Sequence, residues 1–225
     1  MQSLFSTLFE RFGLNAYISG DYEKAEKWFR KLEAREPESL TVLRNLGVIL
    51  LARGDAEGAE RYLLREEKLY GKSFQRHASL ADLAYARGKR KEAGKRYALA
   101  LLEPECGPGG RQAGIRPIME KRLKLCESDE NFAPTRVAMK VFEEAQKARD
   151  EGDHAKAIEV FKKSASLDET NWPALNNIGS ILLNTLKDFS GAAVFFEKAF
   201  QMSGNIQVAR NLELARKLEA KGGKK

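Results

Sequence analysis

Few residues in this chain combine the types and spacings that catalysis requires. The two histidines, His77 and His154, are far apart, and neither stands beside a Cys, Asp or Glu cluster at ligand spacing. A catalytic imidazole needs an orienting partner, so both read as structural or solvent-exposed. The two cysteines, Cys106 and Cys126, lie twenty residues apart with no CxxC pair. That pattern gives neither a zinc site nor a disulfide framework, and it fits a reducing compartment. Gly107-Pro108-Gly109-Gly110-Arg111 is glycine-rich but lacks the GK[ST] ending and preceding strand of a phosphate loop, so it reads as linker. The carboxylate pairs Glu66-Glu67 and Glu143-Glu144 are those expected on solvated helices. No nucleophile, base and orienter come together. The chain is not expected to be an enzyme, and no catalytic residue, metal ligand or cofactor is implied.

Binding chemistry is better represented. Asn45, Asn177 and Asn211 each stand immediately before an apolar residue, and Asn177 to Asn211 is 34 residues. An asparagine offers both a donor and an acceptor, so it can bond the backbone of an extended peptide without reading its sequence. Arg44 and Arg210 stand next to two of them, with Asp82, Asn176 and Ser79 in related positions. The alternative is that these asparagines stabilise neighbouring helix ends.

Charge is the second feature. The formal net charge is +7, and Arg87, Lys89, Arg90, Lys91, Lys95 and Arg96 crowd ten residues. Arg111, Arg116, Lys121, Arg122 and Lys124 follow, and the tail ends Lys221-Gly222-Gly223-Lys224-Lys225. Such a patch can attract an acidic protein, nucleic acid or anionic lipid. No nucleic-acid motif or interleaved aromatic accompanies it, so a solvated, solubilising face is the first reading and nucleic acid is disfavoured. The third feature is the start of the chain, where Leu4, Phe5, Leu8, Phe9 and Phe12 are strongly apolar. They could mediate self-association or dock on a partner or, more weakly, a membrane surface; packing on the first repeat is the alternative.

These side chains must be positioned by a repeat. Gly20-Asp21-Tyr22-Glu23-Lys24-Ala25 returns as Gly54-Asp55-Ala56-Glu57-Gly58-Ala59, Gly88-Lys89-Arg90-Lys91-Glu92-Ala93 and Gly152-Asp153-His154-Ala155-Lys156-Ala157, with a looser copy at Lys187–Ala192. Ala25 to Ala59 and Ala59 to Ala93 are both 34 residues, Ala93 to Ala157 is 64, and Ala157 to Ala192 is 35. After each turn a helical stripe recurs at i, i+4, i+7: Ala25, Phe29, Leu32; Ala93, Tyr97, Ala100; Ala157, Phe161, Ser164; Ala192, Phe196, Ala199. Before the turn lies a second apolar helix with a small residue, as in Leu43, Leu46, Gly47, Leu50 and Leu175, Ile178, Gly179, Leu182. A small residue lets two helices approach closely. The turn glycines suit left-handed helix ends, and Pro37 stands where a second helix must stop.

Leu46-Gly47, Ala59 and Leu63 in one copy, and Gly20, Tyr22, Ala25, Phe29 and Pro37 in another, resemble the tetratricopeptide repeat family. The resemblance covers residues 6–107 and 138–221. It implies an all-α fold, an α-α superhelix of helical hairpins, whose first helices line a concave groove that holds a peptide or protein partner. Arg44, Asn45, Asp82, Asn176, Asn177, Arg210 and Asn211 are the residues expected on that groove. The lysine-and-asparagine clamp by which some members grip a terminal carboxylate is not matched, because Glu10, Gln75 and Ser79 stand in its place. A scaffold for protein interaction is therefore the expected function, and a basic connector that binds a polyanion is the alternative.

The 64-residue step equals one period plus 30 residues, which fall where Pro104, Gly107, Pro108, Gly109, Gly110, Gly114 and Pro117 concentrate. The expected organisation is three hairpins in residues 1–107, a connector with one helix in 108–137, and two hairpins plus a capping helix in 138–225. Residues 116–127 and 206–220 are the expected caps, with a hinge near Ser128–Pro134. No apolar stretch is long enough to span a bilayer and Met1-Gln2-Ser3-Leu4-Phe5 does not begin a secretory signal, so the expected location is the cytoplasm.

Overall fold

The computed structural model describes residues 4–18 and 21–222. Gly20 lies outside the described residues, as do Met1, Gln2, Ser3, Gly223, Lys224 and Lys225. The architecture is all-α, built of tetratricopeptide-like helical hairpins. The helices are α1 (Leu4–Ile18), α2 (Tyr22–Glu33), α3 (Leu40–Ala52), α4 (Ala56–Tyr70), α5 (Phe74–Ala86), α6 (Arg90–Leu102), α7 (Arg116–Leu125), α8 (Asp129–Asp150), α9 (His154–Leu167), α10 (Trp172–Ile181), α11 (Phe189–Ser203) and α12 (Ile206–Gly222). The chain divides into two compact units, Met1–Leu83 and Ala84–Lys225.

The Gly54-Asp55 and Gly152-Asp153 pairs each make a hairpin turn, and Gly88-Lys89 makes another. Gly54, Gly88 and Gly152 adopt positive φ of 84°, 69° and 84°, where a side chain would strain the backbone. The aspartate that follows caps the next helix. Asp21 accepts from the Lys24 N–H at 3.1 Å, Asp55 from Gly58 at 2.8 Å, and Asp153 from Lys156 at 3.1 Å. Each such cap contributes about 1 kcal/mol. In the third copy Lys89 stands at this position, and α6 begins without a side-chain cap.

The fifth copy explains its own 35-residue spacing. After α10 the chain passes through a π-helical turn, Leu182–Leu186, which absorbs one extra residue. The Asp55 and Asp153 N–H groups bond carbonyls five residues back, at Leu50 and Ala148, whereas the Asp188 N–H reaches six back to Leu182, each at 2.9 Å. Lys187 takes the left-handed place of the glycine with φ 56°, and Asp188 still caps α11 through the Gly191 N–H at 2.9 Å.

The stripe expected after each turn is the core. Ala25, Phe29, Ala93, Tyr97, Ala100, Ala157, Phe161, Ser164, Ala192, Phe196 and Ala199 are all fully buried. A polar member is tolerated there because Ser164 donates to the Ala138 carbonyl at 2.7 Å and accepts from Asn171 at 2.9 Å. The small residue of each first helix faces the large one of the second. A Cβ on Gly13 would stand 2.6 Å from the Phe29 ring and one on Gly179 2.8 Å from Phe196, while one on Gly47 would meet Leu63 at 3.4 Å. Glycine at the first two positions is thus required by the ring opposite.

In the second unit, α7 starts with Pro117 in its first turn and packs on α6, where Gly94 leaves room for Cys126. Ser128 caps α8 through the Asn131 N–H at 3.0 Å, and Pro134 lies inside that helix. The residues expected as a hinge are the first turns of a 22-residue helix.

Candidate functional site

In the second unit α8, α10 and α12 bring a row of amides together. The Asn177 amide donates to the Pro173 carbonyl at 2.9 Å, and its oxygen accepts from Arg149 at 2.9 Å. The neighbouring Asn176 oxygen faces the Asn211 amide across 3.4 Å, and Gln207 donates to the Asn211 oxygen at 3.3 Å. All three asparagines are half-buried, and Arg210 beside them is exposed. Trp172–Ile181 contains no charged residue, so α10 presents neutral donors and acceptors between Arg149 and Arg210. Arg149 went unrecognised in the sequence. Its signal was its place four residues after Ala145, the small residue of its helix, one turn further along the same stripe.

The first unit holds the other expected residues, and they behave differently. Asn45 repeats the habit of Asn177, donating to the Thr41 carbonyl four residues back at 2.8 Å. Arg44 instead turns to Glu66, with Nη2 at 3.1 Å and Nε at 3.3 Å. Glu66 is only 1% exposed and also receives Arg76 Nε at 3.0 Å. The solvated reading of Glu66 is therefore corrected: two arginines from flanking helices compensate a buried carboxylate. Arg44 is exposed yet held by that pair, and Asp82 is an exposed residue of α5.

Arg122 of the connector stands at the centre of a buried polar network. Expected among the solvated basic residues of that stretch, it is 8% exposed. Its guanidinium donates to the Tyr97 hydroxyl at 3.1 Å, the Thr170 hydroxyl at 3.2 Å and the Thr170 carbonyl at 3.0 Å. The Thr170 hydroxyl in turn donates to Asp168 at 2.7 Å, and the Tyr85 hydroxyl donates to the other Asp168 oxygen at 2.9 Å. Burial, then the Asp168 carboxylate, pushes the Tyr85 phenol well above its ordinary range. This network ties α7 to the turn between α9 and α10. Two more connector cations are engaged. Arg90 makes paired bonds to Asp129 at 3.0 and 3.1 Å, and Arg116 reaches Glu120 at 2.8 Å and the Cys106 carbonyl at 3.2 Å. Arg136 and Arg90 together hold the Asp129 carboxyl below the usual range. Lys91, Lys95, Lys124 and Arg111 are exposed.

His77 is buried, with Nδ1 3.8 Å from Glu67, and His154 is the first residue of α9. Cys106 and Cys126 are free and buried. Among the described residues no group of three or more His, Cys, Asp or Glu could hold a metal ion, and no helix is long and apolar enough to cross a membrane. Of the apolar start, Phe5 is 57% and Leu8 37% exposed, Phe9 is half-buried, and the side chain of Leu4 lies outside the described residues.

Comparison with known proteins agrees with the repeat. Residues 11–74 match one tetratricopeptide repeat model and residues 145–171 match another. No curated protein matches this chain. Among solved structures, a MamA double mutant is 16% identical over 90% of this chain and 96% of its own, with a TM-score of 0.48. PilW, a type IV pilus biogenesis factor, is 12% identical over 98% of this chain and 93% of its own, with a TM-score of 0.46. PilF of Pseudomonas aeruginosa is 16% identical over 96% and 88%, with a TM-score of 0.45.

Proposed function

Because the chain belongs to the tetratricopeptide repeat family, we propose that it is a protein-interaction scaffold whose amide row on α8, α10 and α12 holds an extended segment of a partner protein. The observation that carries this reading is the shared posture of Asn45 and Asn177. Each amide spends one N–H on the carbonyl four residues back, which locks its rotamer and leaves the second N–H for a ligand. The same posture recurs independently in each of the two units. The long Asn176–Asn211 contact is weak enough for a peptide to replace. Arg210 supplies a cation for an acidic side chain of the partner, and Asn45 with Asp82 offers a second patch in the first unit. Arg44 contributes by holding Glu66.

The polyanion alternative has less support, since Arg90, Arg116 and Arg122 are engaged within the protein. The test is to select peptides from a display library against the full chain and to measure their affinity by fluorescence anisotropy. Asn177→Ala combined with Arg210→Glu is expected to weaken binding about tenfold, from one lost hydrogen bond and one reversed charge. Helicity should not change, and melting should fall only slightly through the lost bonds to Pro173 and Arg149. Unaltered affinity would move the site elsewhere, and a steep loss between low and moderate salt would favour the connector.

A further inference from the structure

One face of the first hairpin joins exposed rings to cations. Phe5 is 57% exposed and Phe12 is 43% exposed. The Trp28 ring lies 5.4 Å from Phe9 and 5.1 Å from Phe12. Lys31 Nζ stands 4.2 Å from the centre of Trp28, and the Arg35 guanidinium lies 5.5 Å from Phe5 and 5.4 Å from Phe9. Trp28 and Lys31 are spaced i, i+3 on one stripe of α2, and Arg35 lies in the turn just beyond its end. Elsewhere in this unit Arg30, Arg53, Arg65 and Arg76 each pair with a carboxylate. Among the described residues Lys31 and Arg35 make no ion pair; both lie over ring faces and keep their charge for a partner.

We propose that this face docks on a bilayer containing anionic lipid. Aromatic rings beside unpaired basic side chains match the membrane interface, where rings enter the boundary between headgroups and acyl chains and the cations remain at the level of the phosphates. A second copy of the chain is a poorer occupant, because pairing this face with itself would oppose Lys31 and Arg35 to the same charges. An acidic protein would satisfy the cations but needs pockets for the protruding Phe5 and Phe12 rings. A bilayer accommodates them without such pockets. None of these residues belongs to the amide row, so the inference stands or falls independently of the proposed peptide site.

Vesicle flotation with the full chain tests it, comparing neutral phosphatidylcholine with phosphatidylcholine carrying about 30% phosphatidylserine at about 50 and 300 mM salt. Binding is expected to the anionic vesicles only, and to weaken with salt. Lys31→Glu with Arg35→Glu should lower partitioning at least about 25-fold, roughly fivefold for each cation removed. Phe5→Ser with Phe12→Ser should lower it roughly tenfold while the helical circular dichroism signal at the assay temperature is kept, because each ring already has a large part of its surface in water. Equal binding to both vesicle types, no binding, or unchanged binding by the variants would overturn the proposal. So would a lipid-free dimer that Phe5→Ser with Phe12→Ser dissociates, or capture of a polyglutamate peptide by a chain that ignores the vesicles.

Discussion

The two compact units use the same hairpin, yet they place irregularity differently. In the first, hairpins keep a strict 34-residue period, and the notable buried charge, Glu66, is met by arginines from α3 and α5. The second departs twice from the period, once through the connector and once through one extra residue. Each departure is taken up by hydrogen bonding: the Arg122 network around Thr170, which draws in only the hydroxyl of Tyr97 from the stripe, and the π-helical turn at Leu182–Leu186. The buried stripes Ala157-Phe161-Ser164 and Ala192-Phe196-Ala199 are untouched. An array of this kind can lengthen wherever the backbone finds new partners, because side-chain nesting is the part that cannot slip.

Breaking that contrast should have its largest effect at the connector. Arg122→Ala removes the donor that joins Tyr97 to Thr170 and is expected to destabilise the second unit by about 3 kcal/mol or more. A denaturant titration followed by Tyr97 and Tyr85 absorbance should show an earlier transition. If the midpoint does not move, the network is decoration. A smaller effect separates the two nested glycines. Gly179→Ala pushes a methyl to 2.8 Å from the Phe196 ring, and is expected to cost about 1–3 kcal/mol. Gly47→Ala meets Leu63 at 3.4 Å and should be neutral or stabilising by up to about 1 kcal/mol through helix propensity. Thermal melting of both variants checks the difference in sign. The smallest change is Lys187→Gly, which relieves a left-handed non-glycine residue and should raise stability by about 0.5–1 kcal/mol. A fall in melting temperature would mean that the Lys187 ammonium bond to the Asn184 carbonyl, 2.7 Å, outweighs the strain.

Much of the fold was legible because periodicity reports nesting directly. Small and large residues at fixed offsets located every second helix of the hairpins, and the 35-residue step already contained the π-helical turn without naming it. The site was only partly legible. Asn177 and Asn211 were visible as a 34-residue pair, but Arg149 became apparent only when α8 and α10 lay side by side. Polar burial was the least readable. Glu66, Arg76, Arg122 and Asp168 have the composition of a solvated helix surface, and nothing in one dimension says that they are partners for one another. Local pattern records which face of a helix is dry; it does not record which charges have been matched across helices.

The two thiols have a consequence for where such a chain can work. Cys106 and Cys126 are buried and unpaired, and burial pushes the Cys126 thiol up to about 11. Thiolate is the species that oxidises and exchanges, and at neutral pH the native fold presents almost none of it. No covalent cross-link holds the fold together and none is poised to form. The folded scaffold thus offers little thiolate for exchange with any disulfide in its surroundings.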